Sequence, residues 1–196
     1  MSLILASSSP FRKAILDKLG LPFDVVAPEI DEMRKDSESP FDLVSRLSKQ
    51  KAVEVSKTRS GLIIASDQVA TLDSGENVED EILTKPGTHE KAFLQLKKSS
   101  GKSVNFLTGL ALMNTDTKKI QLHVEYYKVK FKMLSDNQIL NYLSREDTLH
   151  CAGSFKSEGL GIALFNSMEG DDPNSLIGLP TIQLINMLAK ENVHVL

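Results

Sequence analysis

Residues 61–65, Gly-Leu-Ile-Ile-Ala, run without a polar interruption and are closed by Ser66 and Asp67. A strand with one wet face alternates apolar and polar residues, so this run predicts a strand buried on both faces. A sheet covered on both faces needs helices packed against it, which is the mixed α/β arrangement. Residues 2–6, SLILA, repeat the pattern in shorter form.

Helix signals fall between the strand signals. Ser9 reads as an N-cap, Pro10 as a first-turn residue, and Gly20 as the residue past the end of the first helix. A strand is expected at 23–27 (FDVVA), followed by the acidic turn PEIDE, and Ser39-Pro40 opens a longer helix to about Arg59. Beyond Asp67 a hairpin-like segment reaches Leu83, with turn chemistry at Asp73-Ser74-Gly75. Thr88 caps a helix over 89–98, which Ser99-Ser100-Gly101 ends. Strands follow over 103–113 and 119–133, joined at Asn114-Thr115-Asp116-Thr117. The second sets Lys128, Lys130 and Lys132 against Val129, Phe131 and Met133, so one of its faces is wet. A helix at 135–144, a strand ending at Phe165 and a helix at 180–190 complete the chain. There is no internal repeat and no low-complexity linker, and 196 residues suit one core, so residues 1–196 are expected to form a single mixed α/β domain.

A net charge of -3 argues against nucleic-acid binding, which needs a basic surface, so any anionic ligand must be met by local cations. The single cysteine, Cys151, excludes an internal disulfide and suits a reducing compartment. The opening MSLILASSS has too short an apolar run and no basic start for a secretory signal, and no stretch approaches a membrane span. A soluble cytoplasmic protein acting on a small molecule is the expectation.

Four features carry candidate chemistry. The strand that enters Ser7-Ser8-Ser9-Pro10 and then a helix offers free N–H groups and hydroxyls, with Arg12 and Lys13 close behind, which suits phosphate. An ordinary Ser-Pro cap with surface cations is the other reading of these residues. Asp67 follows five apolar residues, which puts its carboxylate at the carboxyl end of a central strand, where ligands of open α/β sheets gather. A polar strand terminus would look the same. On the helix over 41–55, Phe41, Val44, Leu47 and Val55 form an apolar stripe, and Lys51 falls inside it. Such a lysine either snorkels outward or reaches an anion. Glu29, Asp31 and Glu32 with Asp67 are a carboxylate set of the kind magnesium prefers, although acidic turns are also often just solvated. Gly159-Leu160-Gly161 is a fragment of a dinucleotide fingerprint without its third glycine, since position 164 is Leu. His89, His123, His150 and His194 lack metal-ligand spacing, and Cys151 beside His150 does not by adjacency make a thiolate pair.

LILASSSPFRKAIL, PEIDE, SKQKA, IIASDQV and TKP, in that order, resemble the Maf family of nucleotide pyrophosphatases, and CAGSFKSEG and DPNSLIGLP continue the match over essentially the whole chain. The resemblance implies an elongated two-lobed α/β fold with a central cleft, like that of inosine triphosphate pyrophosphatases. It also implies hydrolysis of a nucleoside triphosphate between the α and β phosphates with a divalent cation, Mg2+ or Mn2+, and it is compatible with a homodimer. By motif, Asp67 becomes the proton acceptor, Ser7, Arg12, Lys51 and Lys85 phosphate contacts, and Glu32 with Asp67 the carboxylates of a metal site.

Three departures from the commoner pattern point to one branch of the family. Phe11 stands where an arginine is common, Gln68 where threonine is common, and Glu158 where the other branch has glutamine. This triple resembles the branch acting on 7-methyl-GTP, whose methylated guanine is cationic and suits an aromatic face and a carboxylate. Phe11 also sits in register with Ile15 and Leu19, and a core residue is the other reading of it. The remaining alternatives are a dTTP/UTP pyrophosphatase of the same family and a nucleotide-binding regulator linked to septum formation. The chain is longer than the family pattern between Asp73 and Lys85, with Thr84 where glycine is common, which leaves the placement of Lys85 open.

Overall fold

The computed structural model describes residues 1–73 and 81–196. The apolar run of residues 61–65 lies in β3 (Leu62–Leu72), which pairs in parallel with β1 (Leu3–Ala6) from Leu3↔Leu62 to Ala6↔Ala65. On its other side β1 pairs in parallel with β2 (Asp24–Val26). Four further strands are β4 (Glu81–Leu83), β5 (Ser103–Asn114), β6 (Lys119–Phe131) and β7 (Phe165–Glu169). Strand order is β2-β1-β3-β5-β6-β7, with β4 pairing antiparallel to β3. The helices are α1 (Pro10–Asp17), α2 (Pro40–Ser56), α3 (His89–Ser99), α4 (Asp136–Leu143), α5 (Pro173–Ile177) and α6 (Thr181–Lys190). The mixed α/β class is therefore as the sequence implies.

Two compact units share this chain, and the divide falls inside β3, β5 and β6. The first comprises residues 1–68, 107–125 and 172–196. In it Leu3, Leu5, Leu62 and Ile64 pack with Ile15 and Leu16 of α1 and Leu184, Met187 and Leu188 of α6. On the opposite sheet face Ile4, Ala6, Ile63 and Ala65 pack with Ala52 and Val55 of α2. The continuous apolar runs follow from this two-sided cover. β5 passes so close to α2 that a β-carbon at Gly109 would strike the carbonyl of Val44 and Ser48 Oγ.

The second unit comprises residues 69–106 and 126–171. At its centre Phe131, Phe155 and Phe165 meet edge-on, with ring centroids 4.8–5.6 Å apart, and Phe106 joins through Phe155. Such edge-to-face sets are worth about 0.5–1.5 kcal/mol per pair beyond burial. Lys128 and Lys130 alternate outward with buried Val129 and Phe131, as expected, but the strand ends at Phe131 and Met133 is 80% exposed.

Other boundaries moved for identifiable reasons. Phe165 begins β7 and does not end a strand, because the preceding Leu160–Leu164 forms a 3-10 turn. Helix α5, capped by Asp172 with Pro173 at its first turn, was not anticipated. The expected turn at Asp73-Ser74-Gly75 reaches into residues 74–80, outside the described residues.

Candidate active site

β3 does not stop before Asp67. It runs on to Leu72, and what ends at Ala65 is the parallel pairing, because β1 is only four residues long. Asp67 therefore lies just past the carboxyl end of β1 on a strand that continues and turns to antiparallel pairing with β4 from Ala70 onward. The strand period sends Ile63, Ala65 and Asp67 to the α2 face, and Leu62, Ile64, Ser66 and Gln68 to the other.

On the α2 face Asp67 meets Lys51. The buried stripe of α2 is Leu43, Val44, Leu47, Ser48, Lys51, Ala52 and Val55, so Lys51 does sit within it, whereas Phe41 is 46% exposed and lies outside. The Lys51 side chain is 7% exposed, and its Nζ lies 2.6 Å from Asp67 Oδ1 and 2.7 Å from Glu32 Oε1. Lys51 thus reaches an anion and does not snorkel into solvent. A buried ammonium is tolerated only with such partners. Asp67 is mostly buried, whereas the Glu32 side chain, on the irregular segment after β2, is 56% exposed. Glu32 and Asp67 converge on one nitrogen from two separate segments.

The serine-capped turn after β1 forms as the sequence implies. Ser7 is buried and its Oγ accepts the Ser9 N–H at 3.1 Å, while Ser9 Oγ caps α1 by accepting the Arg12 N–H at 3.4 Å. Arg12 Nε donates to the Gly178 carbonyl at 2.8 Å, and Ser66 Oγ donates to the same oxygen at 2.8 Å. Gly178 has φ +122°, a backbone that side chains rarely adopt, so a glycine is needed to turn this carbonyl toward both donors. Burial lowers the Arg12 pKa, opposed by the charges of Asp67 and Glu32, and the guanidinium remains cationic.

Asp172, which sequence reading passed over as a site residue, holds this corner. Its buried carboxylate accepts the N–H of Asn174 at 2.9 Å, the N–H of Ile182 at 2.8 Å and the Thr181 hydroxyl at 3.2 Å. It therefore caps α5 and ties down the start of α6 together. The signal was present as Asp-Pro, an N-cap followed by a first-turn proline.

Gln68 faces away from Asp67. Its Nε2 donates to Thr108 Oγ1 at 2.9 Å and to the carbonyls of Ser175 at 2.8 Å and Leu176 at 3.1 Å, so it fastens α5 to the sheet. Phe11, in the first turn of α1, is half-buried.

Lys85 and Glu158 belong to the second unit, and both are exposed. Burial pushes the Cys151 thiol up to about 11, with Lys156 and Lys85 opposing the shift and Glu158 and Asp147 adding to it. A thiol so shifted carries little thiolate near neutral pH. The loop bearing Glu158 is held at three points. Phe155 enters the aromatic centre, Tyr142 Oη accepts the Lys156 N–H at 3.0 Å, and Glu146 Oε1 accepts the Leu160 N–H at 3.0 Å. A β-carbon at Gly159 would lie 2.6 Å from Glu146 Oε1, so a side chain there would push this clamp apart.

Among the described residues no three histidine, cysteine, aspartate or glutamate side chains group as a metal cage. Glu32 and Asp67 fit a magnesium-like ion of another kind, one held by one or two carboxylates and completed by water and substrate phosphate. No helix among the described residues is long and apolar enough to cross a membrane.

Comparison with known proteins agrees with the motif pattern. A protein of Pseudoalteromonas atlantica named 7-methyl-GTP pyrophosphatase is 52% identical over 195 residues, covering 100% of this chain and 97% of that one. Proteins of the same name from Colwellia psychrerythraea and Nitrosococcus oceani are 50% and 49% identical over 196 residues, covering 100% of this chain and 95% and 96% of theirs. Among solved structures, a nucleoside-triphosphatase / dITP/XTP pyrophosphatase of Mycobacterium abscessus overlaps 68% of this chain and 76% of its own at 18% identity and TM-score 0.43. The Ham1 protein of Staphylococcus aureus overlaps 67% and 72% at 13% identity and TM-score 0.44. Overlaps of that size say nothing about the site. The family model for Maf-like proteins matches residues 2–191, and the chain belongs to the Maf family.

Proposed function

We propose that this chain hydrolyses 7-methyl-GTP between its α and β phosphates, in the cytoplasm and with a divalent cation, giving 7-methyl-GMP and pyrophosphate. The coarser statement stands on family membership and full-length relatives: the chain is a nucleotide pyrophosphatase, a hydrolase of phosphoanhydride bonds. The observation that supports the chemistry is the buried Lys51 between Asp67 and Glu32, beside a helix N-terminus that carries Arg12.

In this reading Asp67 takes the proton of the attacking water as its oxygen bonds to phosphorus. The bridging P–O bond then breaks, and pyrophosphate leaves with the bridging electrons. Lys51 holds the Asp67 carboxylate in place through its 2.6 Å bond, and Ser7, Arg12, Lys51 and Lys85 meet phosphate oxygens. Glu32 and Asp67 would hold Mg2+ or Mn2+, which draws charge from the phosphate oxygens when bound. Little covalent work is required of the protein, because phosphoryl chemistry depends on positioning and charge neutralisation.

The choice of base rests on Phe11 and Glu158, whose aromatic face and carboxylate suit a cationic N7-methylguanine. Gln68 contributes through α5, which its amide fastens. The names of the relatives support the same substrate. Purified protein incubated with Mg2+ or Mn2+ and a panel of 7-methyl-GTP, GTP, dTTP and UTP tests the proposal. Fast release of 7-methyl-GMP and pyrophosphate is expected. Rapid cleavage of dTTP or UTP with 7-methyl-GTP untouched would overturn it in favour of the other branch, and no turnover of any nucleotide would favour a regulator.

A further inference from the structure

Glu32 lies on a stretch, residues 27–35, that belongs to no helix or strand, yet its carboxylate sits 2.7 Å from a buried ammonium. Something other than a backbone ladder must hold this stretch, because fixing each residue costs backbone entropy. Arg46 of α2 does so with its whole guanidinium. Nε and Nη2 grip Glu38 Oε1 and Oε2 at 2.6 and 2.8 Å, Nη2 also reaches the carbonyl of Met33 at 3.0 Å, and Nη1 donates to Gln50 at 2.9 Å. Glu38 in turn accepts the Lys35 N–H at 3.1 Å, and its carbonyl accepts from Arg34 Nε at 2.7 Å. The clip thus binds the residue next to Glu32 and closes the loop behind it.

We infer that Arg46 is a positioning residue of the site: clamped by Glu38, it fixes the Met33 backbone and so aims Glu32 at the Lys51–Asp67 pair. This rests on the reading of Glu32 as a site carboxylate, but Arg46 itself makes no contact with Lys51 or Asp67 in the bonds just described. Only a planar fork serves both carboxylate oxygens and a backbone carbonyl at once, so lysine cannot replace it.

The test uses Arg46→Lys and Glu38→Gln in the full chain, with two readouts. Amide hydrogen exchange over residues 29–36 is expected to quicken by roughly tenfold or more in both variants while the strands of the first unit keep their protection. Turnover of whichever nucleotide the wild type cleaves best is expected to fall about ten- to a hundredfold in Arg46→Lys, the usual size for a misplaced site group. In a Glu32→Gln background the same substitution should then cost almost nothing further. Unchanged exchange in both variants would overturn the clip, as would an equal loss of turnover with and without Glu32. If exchange quickens but Glu32→Gln leaves turnover untouched, the clip stands and the catalytic reading of Glu32 falls.

Discussion

The residues drawn from the family pattern are built in two different ways. Around Asp67 they are bonded to one another before any substrate arrives: Lys51 is buried between two carboxylates, and Arg12 is pinned to the Gly178 carbonyl. In the second unit Lys85 and Glu158 are exposed, and the loop beneath Glu158 is clamped by Phe155, Tyr142 and Glu146. Charge chemistry on a phosphate needs a preorganised, partly dry environment, since reorganisation at the moment of reaction adds to the barrier. Recognition of a base tolerates an open side chain on a firm loop, because the ligand itself excludes the water. The first arrangement is the more costly to disturb.

Four substitutions separate the two arrangements, and the largest effect belongs to Asp67. Asp67→Asn should lower kcat by about 10³–10⁴, the upper range for loss of a general base, while nucleotide affinity by calorimetry stays near wild type. A variant that still turns over within tenfold of wild type would remove Asp67 from the chemistry. Next, Lys51→Met leaves two carboxylates facing each other without their cation. Denaturant unfolding should show a loss of about 3 kcal/mol, the low end for breaking a buried pair, given that Glu32 is half in solvent. Phosphate-dependent KM should rise as well. An unchanged midpoint would mean the pair holds nothing together.

A smaller effect is expected in the second unit. Glu158→Gln should reduce the ratio of kcat/KM for 7-methyl-GTP over GTP by about tenfold, the worth of one charge-assisted bond, with metal-dependent turnover intact. An unchanged ratio would remove Glu158 from base selection. The smallest effect concerns acid. The bond from Arg46 holds the Glu38 carboxyl down at about 2, below its ordinary 4.5. A carboxyl depressed in the folded state stabilises above its unfolded pKa, and that share fades as pH falls from 4.5 toward 2. Unfolding of wild type and Glu38→Gln should therefore differ at neutral pH and converge in that acid window. A gap that stays constant through the window would place the effect elsewhere.

Much of the frame was readable from pattern. The runs 2–6 and 61–65 announced a sheet covered on both faces, and the α2 stripe put Lys51 on its apolar side while leaving open whether it snorkels outward, because burial and period are local properties of a sequence. Helix α5 and the start of β7 were not, since Pro173–Ile177 is too short for a helical period and Phe165 sits against a 3-10 turn. The end of the strand at Asp67 was misread for a related reason: a polar pair inside a strand looks the same as a strand terminus. Gln68 shows the limit most clearly. Adjacent to Asp67 in sequence, it points to the opposite sheet face and fastens α5.

By itself the sequence determined that the chain forms an α/β sheet buried on both sides, that a lysine lies in its core stripe, and that a serine-capped helix follows the first strand. Each depends on contacts within a few residues or on a repeating period. Only the tertiary structure decided which carboxylates Lys51 meets, which carbonyl anchors Arg12, and that Arg46 and Glu38 hold the Glu32 segment. Those pairings join residues up to 166 positions apart. Their selection depends on loop closure and on satisfying every buried charge, conditions that no local pattern encodes.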